Sequence, residues 1–159
     1  MDMLLKLLSE DARLSLEQLA SLTGSTEQEV AARMDELKDS GVIAGYEAVI
    51  NWEKAGIERV QSIIEVRISP KRDFGFDEFA DTIARFPEVE TVYLMSGGFD
   101  VAIMIHGKSF RDVAMFVAKR LSPMESVLST ATHFVLKTYK ERGILFADKP
   151  VDERGLATL

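Results

Sequence analysis

An α+β fold, a winged helix-turn-helix ahead of a ferredoxin-like βαββαβ domain, is predicted by three observations in these 159 residues. Between Ser15 and Gly41, two helix-start signals flank a glycine turn. From about residue 60 onward, the apolar spacing changes from a helical period to alternation. A Ser-Gly-Gly turn at 96–98 then separates two alternating runs, as in a hairpin.

The first domain is expected over residues 1–51. Met3 to Leu8 forms a short apolar helix, closed by Ser9-Glu10-Asp11, that would cover the inner face of the helix pair. Ser15-x-x-Gln18 has capping-box form, as do both Ser25-x-x-Gln28 and Thr26-x-x-Glu29 for the second helix. Gly24 lies between them and can adopt the positive φ of a tight turn. Ala20 is small where the helices would cross. Val30, Met34 and Leu37 stand at i, i+4 and i+7, one buried stripe. Gly41 ends that helix, with Lys38 in its last turn, where a cation suits the helix dipole. Residues 43–51 are expected as a strand-like wing. This is the shape that sets a second helix into a DNA major groove; a plain αα-hairpin is the alternative.

Residues 52–59, with Gly56, read as a linker, and residues 60–140 as the second domain. Gln61 to Ser69 alternates, with Ile64, Val66 and Ile68 on one face, until Pro70 and Lys71-Arg72-Asp73 break it. Phe76, Phe79, Ala80 and Ile83 mark an amphipathic helix stopped by Pro87. Glu90 to Met95 and Phe99 to His106 are strands about the Gly97-Gly98 turn, and Gly107 closes the second. Ser109 caps a helix, with Asp112 three residues on, whose stripe is Phe110, Val113, Ala114, Val117 and Leu121. Pro123 ends it, and Val127 to Tyr139 is a long β-branched strand. That order makes a four-stranded antiparallel sheet with both helices on one face. Val92, Leu94, Val101, Ile103 and Ile105 are assigned to the helix side. Tyr93, Met95, Ala102 and Met104 would form an opposite face too apolar for water, which predicts a homodimer with sheets packed face to face. The tail, 141–159, carries no functional signal, although Ile144, Leu145 and Phe146 are apolar enough to dock.

Composition removes several classes. An apolar fraction of 47% and a charged fraction of 28% are ordinary for a globular protein. No apolar run approaches a membrane span, and the amino terminus lacks the basic and long apolar regions of a signal peptide. The absence of cysteine excludes disulfides and thiolate metal sites and fits a cytoplasmic protein. His106 and His133 both fall within strands, without a Ser, Asp or second His at catalytic spacing. With no metal-ligand cluster and no phosphate-cradling loop either, neither an enzyme nor a cofactor is predicted.

The succession of Leu19-Ala20-x-x-x-Gly24, Val30-x-x-Arg33-x-x-x-Leu37, Gly41-Val42-Ile43-x-Gly45-Tyr46 and Gly98-x-Asp100 resembles the Lrp/AsnC, or feast/famine, family of transcription regulators. The resemblance spans roughly Met3 to Lys140 and implies a ferredoxin-like domain of the RAM/Lrp type. It further implies DNA and a small effector, usually an amino acid, as partners, and a homodimer assembling into a tetramer or octamer. Carried onto this chain, the effector would bind at the hairpin of Gly97, Gly98 and Asp100. The glycines would open backbone N–H groups to a carboxylate. Asp100 would meet an ammonium or orient the loop, and Ser129, Thr130 and Thr132 would add hydroxyls from a neighbouring subunit.

On the DNA side, Ser25, Thr26, Gln28, Arg33 and Lys38 are the candidate contacts. Helix-start N–H groups with Ser25 and Thr26 would hold a phosphate. Arg33 would reach a base or phosphate, or else bridge to Glu29 or Glu36. The charge is a departure. Residues 1–57 hold five bases against eleven acids, a net −6 of the chain's −7, where phosphate binding calls for cations. One module should therefore bind weakly and depend on several copies. The competing expectation is an oligomeric sensor or protein-interaction module whose acidic winged helix leaves DNA alone.

Overall fold

The computed structural model describes residues 2–69 and 75–146. Pro70, the Lys71-Arg72-Asp73 break and residues 147–159 of the tail lie outside the described residues. The chain divides into two compact units, Met1–Ala48 and Val49–Leu159.

The first unit holds α1 (Met3–Glu10), α2 (Leu16–Thr23) and α3 (Glu27–Asp39). Each start is fixed by a side chain. Asp2 accepts the Leu4 N–H at 3.0 Å, and Ser15 and Gln18 close a reciprocal capping box at α2. Of the two boxes open to α3, the structure uses Thr26 with Glu29, and Ser25 stays in the turn. Gly24 caps α2 at φ 70°, its N–H donating to Ala20 O, a conformation a side chain would resist. Leu4, Leu8, Leu19, Ala20, Val30 and Leu37 are buried together, with Met34 and Ile43 packed on them. The wing differs from expectation. Ile43 N–H still bonds Leu37 O at 2.9 Å, but no strand forms over residues 44–50. The reason is local: a strand needs a ladder partner, and this unit offers three helices and no second strand.

In the second unit, β1 (Val60–Ile68), β2 (Val89–Leu94), β3 (Val101–Gly107) and β4 (Val127–Phe134) pair antiparallel in the order β2-β3-β1-β4. Two helices, α4 (Phe76–Ala84) and α5 (Phe110–Phe116), complete the βαββαβ order, and α5 continues into a π-helical turn, Val117–Leu121. The register sets the faces. Ile64 lies opposite Ile103 and Thr132, and Val66 opposite Val101 and Thr130. These face the helices, where Ile64, Val66, Ile103, Ile105, Phe79, Ile83 and Leu121 are fully buried. Leu94, assigned to this face, is 56% exposed because it ends the edge strand.

Two boundaries differ from the sequence reading. β4 stops at Phe134 rather than Tyr139: Val135 N–H donates to Gln61 O at 2.9 Å, and only Val60 of β1 lies beyond that point, too little for a ladder to Tyr139. Across the expected boundary between the second domain and the tail, Lys140–Glu141 and Ile144–Leu145 form a small hairpin, β5 and β6. Arg142 (φ 43°) and Gly143 (φ 86°) are both left-handed in its two-residue loop, as a type I′ turn requires. The expected linker, residues 52–59, is anchored by bonds of its own. Ile57 N–H bonds Trp52 O at 3.1 Å, Arg59 lies 4.9 Å over the Trp52 ring, and the same guanidinium pairs with Glu90. Among the described residues no helix is long and apolar enough to cross a membrane.

Candidate functional site

The reader surface of the first unit is built on α3, and most of its polar groups already have partners. The Thr26 hydroxyl accepts the Glu29 N–H at 3.2 Å and donates to Glu29 Oε2 at 2.9 Å, while Thr26 N–H donates to the same carboxylate at 2.8 Å. These bonds hold the Glu29 carboxyl below the usual carboxylate range. The Thr26 hydroxyl predicted for a phosphate is therefore committed to the cap. Glu27 and Gln28 N–H remain in the first turn, beside the carboxylates of Glu27 and Glu29.

Arg33 is a brace. Its Nη1 donates to Glu36 Oε2 at 2.6 Å and its Nη2 to Asp2 Oδ2 at 3.2 Å, tying α3 to the cap of α1. The pair raises the guanidinium further above neutrality and, through the hydrogen bond from Arg33, lowers Asp2. Of the two roles open to Arg33 in the sequence, the structure shows the bridge, to Glu36 rather than Glu29. Asp2 is a partner that sequence spacing did not disclose, because it lies 31 residues away. Ser25, Gln28 and Lys38 are exposed.

At the second unit, Gly97 and Gly98 lie in the bend between β2 and β3. Asp100 is locked into the sheet: its Oδ2 accepts the Ile68 N–H at 2.8 Å, its N–H bonds Val66 O at 3.0 Å, and its carbonyl accepts the Met95 N–H at 2.8 Å. Of its two expected roles, orienting the loop is the one its bonds perform. Gly98 has no positive φ, and a Cβ placed there meets nothing within 4 Å.

The three hydroxyls of β4 do not share a face. Thr130 and Thr132 lie opposite Val66 and Ile64 on the helix side, whereas Ser129 lies opposite Arg67 on the open side. Side chains alternate along a strand, so one ligand cannot meet Ser129 and Thr130 on the same surface of one chain. Ser129 does sit at the hairpin end, across β1 from Asp100.

The open face carries Ile63, Ala102, Met104, Tyr93 and Ala131, with Glu65 Oε1 3.4 Å from His133 Nε2. Tyr93 and Met95 are exposed, as expected; Ala102 is buried beneath its neighbours.

Comparison with known proteins decides what this arrangement belongs to. Residues 61–145 match the Lrp/AsnC ligand binding domain, and residues 3–38 match the AsnC-type helix-turn-helix domain. The chain belongs to the Lrp/AsnC family. An uncharacterized HTH-type transcriptional regulator of Bacillus subtilis, YugG, is 46% identical over 152 residues, 95% of this chain and 92% of that protein. A proline dehydrogenase transcriptional activator of Rhizobium radiobacter is 31% identical, over 89% of this chain and 90% of its own. Among solved structures, the Neisseria meningitidis regulator NMB0573 in complex with L-Met superimposes with a TM-score of 0.70 at 25% identity, covering 87% of this chain and 88% of that one. As an Lrp/AsnC protein, this chain is a DNA-binding transcription regulator with a ligand-binding domain, and no enzymatic domain is indicated. The ligand-domain match runs to residue 145 and so includes the β5–β6 hairpin.

Proposed function

We propose that this regulator senses a small amino acid at the hairpin end of its sheet and thereby adjusts DNA binding by several helix-turn-helix units in one cytoplasmic assembly. The observation that carries this reading is Gly98. Neither backbone conformation nor any neighbour among the described residues demands a glycine there. A close approach by something outside the chain, such as an effector carboxylate on exposed N–H groups, supplies the missing reason. The amino-acid class is supported by the L-Met complex of the Neisseria relative. On this reading Gly97, Gly98 and, from a neighbouring copy, Ser129 touch the effector, and Asp100 holds the loop.

The apolar open face supports a homodimer packed sheet against sheet, and dimers would join further into a tetramer or octamer. The acidic reader makes assembly necessary. Gln28, Ser25 and Lys38 supply few phosphate contacts per copy, so linked copies must add their affinities. Two measurements test the proposal together: fluorescence anisotropy on DNA from upstream of the protein's own gene at two salt concentrations, and size determination, each with and without an amino-acid panel. Binding that weakens steeply with salt and shifts with one amino acid is expected. No binding at the lower salt would sink the DNA half, and a monomer in solution would sink the assembly.

A further inference from the structure

The far end of the sheet from the hairpin holds a groove of about 760 Å³, within the size range of small-molecule sites. Its walls are the 52–59 segment, the carboxyl end of β3 and one side of α5 with its π-helical turn. The floor and one side are apolar: Trp52, Ile57, Ile105, Met115 and Phe116. β3 runs from the hairpin to this groove, so the two places are separated by its seven residues, roughly 20 Å at the usual strand rise.

The polar groups of the groove divide into engaged and unengaged ones. Arg59 is held by Glu90 and by the Trp52 ring, Asp112 accepts the Ser109 hydroxyl at 2.9 Å, and Arg120 lies 5.2 Å over Phe86. By contrast Glu88 Oε2 and His106 Nδ1 are buried with no hydrogen-bond partner among the described residues. Glu90 Oε1 is 3.3 Å from His106 Nδ1, but the contact lacks hydrogen-bond geometry and that oxygen already serves Arg59. Lys108 and Lys119 also line the groove, exposed and without an ion pair among the described residues. A buried carboxylate oxygen lacking a donor is costly, and it selects a ligand that brings one. Free ammonium groups at the rim select an anion. The π-helical turn, a geometry that recurs at functional sites, is what carries Lys119.

We propose that this groove is a second ligand site, distinct from the hairpin, for a small molecule that joins an amine and a carboxylate to an apolar or aromatic body. The amine donates to Glu88, the carboxylate meets Lys108 and Lys119, and the body lies along Trp52, Met115 and Phe116.

Trp52 is the chain's single tryptophan and lines this groove, so its emission reports occupancy. The intact protein is titrated with L-phenylalanine, with 3-phenylpropionate, which lacks the amine, and with 2-phenylethylamine, which lacks the carboxylate. L-Phenylalanine is expected to change Trp52 emission saturably, and each half-molecule to bind about tenfold more weakly. Glu88→Gln should weaken L-phenylalanine about tenfold and leave 3-phenylpropionate unchanged, whereas Lys119→Met, an exposed change that spares folding, should weaken both acids. Gly98→Ala should leave the emission response intact, even where it abolishes amino-acid control of DNA binding. The proposal is overturned if no probe alters emission saturably at millimolar concentration. It is equally overturned if Gly98→Ala removes the response while Glu88→Gln and Lys119→Met do not.

Discussion

In the three-helix unit, Asp2, Ser15, Thr26, Glu29 and Arg33 all direct their hydrogen-bonding groups at neighbours within the unit. Around the sheet, Glu88 Oε2 and His106 Nδ1 have no hydrogen-bond partner and Lys108 and Lys119 no ion pair among the described residues, and Gly98 keeps open space about it. The difference follows from core size. Among the described residues, the sheet unit buries a cluster of eleven hydrophobic residues and the helix unit one of six. A small core leaves stability resting on caps and braces, while a larger one can tolerate polar groups held ready for something else. The reader is thus built to hold its shape, with little charge left over to hold DNA.

The largest test of this contrast is Leu19→Ala, at a fully buried position of the small core. It should cost about 3 kcal/mol, most of the stability such a unit can have. Hydrogen exchange should show α1–α3 losing protection while β1 and β3 keep theirs. Joint loss in both units would mean that they fold as one and that the comparison is mistaken. Next comes Thr26→Ala, which removes the hydroxyl that accepts the Glu29 N–H and donates to the Glu29 carboxylate, keeps the backbone half of the α3 capping box, and should cost about 1 kcal/mol. Chemical denaturation followed by helix signal measures it, and an unchanged midpoint would show that the reader does not lean on its caps.

Acid should separate the units by pH window. In the reader, the Asp2 and Glu29 carboxyls are held below their usual range, Asp2 by Arg33 and Glu29 by the Thr26 N–H and hydroxyl. Depressed carboxyls contribute stability that is present above the unfolded value, about 4, and is lost as pH falls through the folded one. Both are open to solvent, so the effect is modest. In the sheet unit His106 is also depressed, first by burial and then by the nearby Arg59 charge, with Glu88 opposing. Its contribution is present above the unfolded histidine value, about 6.5, and is lost as pH falls through the lower folded one. Mild acid should therefore loosen the sheet unit first, and stronger acid the reader. Imidazole titration by NMR, with Asp2→Asn as control for the reader, would detect the reverse order.

Much of this was legible in the chain itself. Capping boxes, the turn at Gly24 and the switch from helical to alternating spacing are local, and the structure has each where the pattern lies. What the pattern missed depended on partners. The wing lacks a second strand, β4 ends within two residues of the start of β1, and Arg33 finds Asp2 across 31 residues. Ser129 beside Thr130 is different, since strand alternation alone already put the two on opposite faces. The groove gathers residues from four separate segments, and no single run of sequence displays it.

Gly98→Ala should have the smallest effect on stability and the most to say about the contrast. Alanine is compatible with the backbone there, and its methyl would meet nothing within 4 Å among the described residues. The melting temperature should stay within the range of an ordinary surface change, about 0.5 kcal/mol either way. If the open space is kept for an effector, amino-acid control of DNA binding falls while the fold and the DNA affinity without effector stay as they were. If control survives, the glycine is only part of a turn. The open space at this end of the sheet would then be incidental, and the far groove would be left as the place where the sheet unit keeps chemistry in reserve.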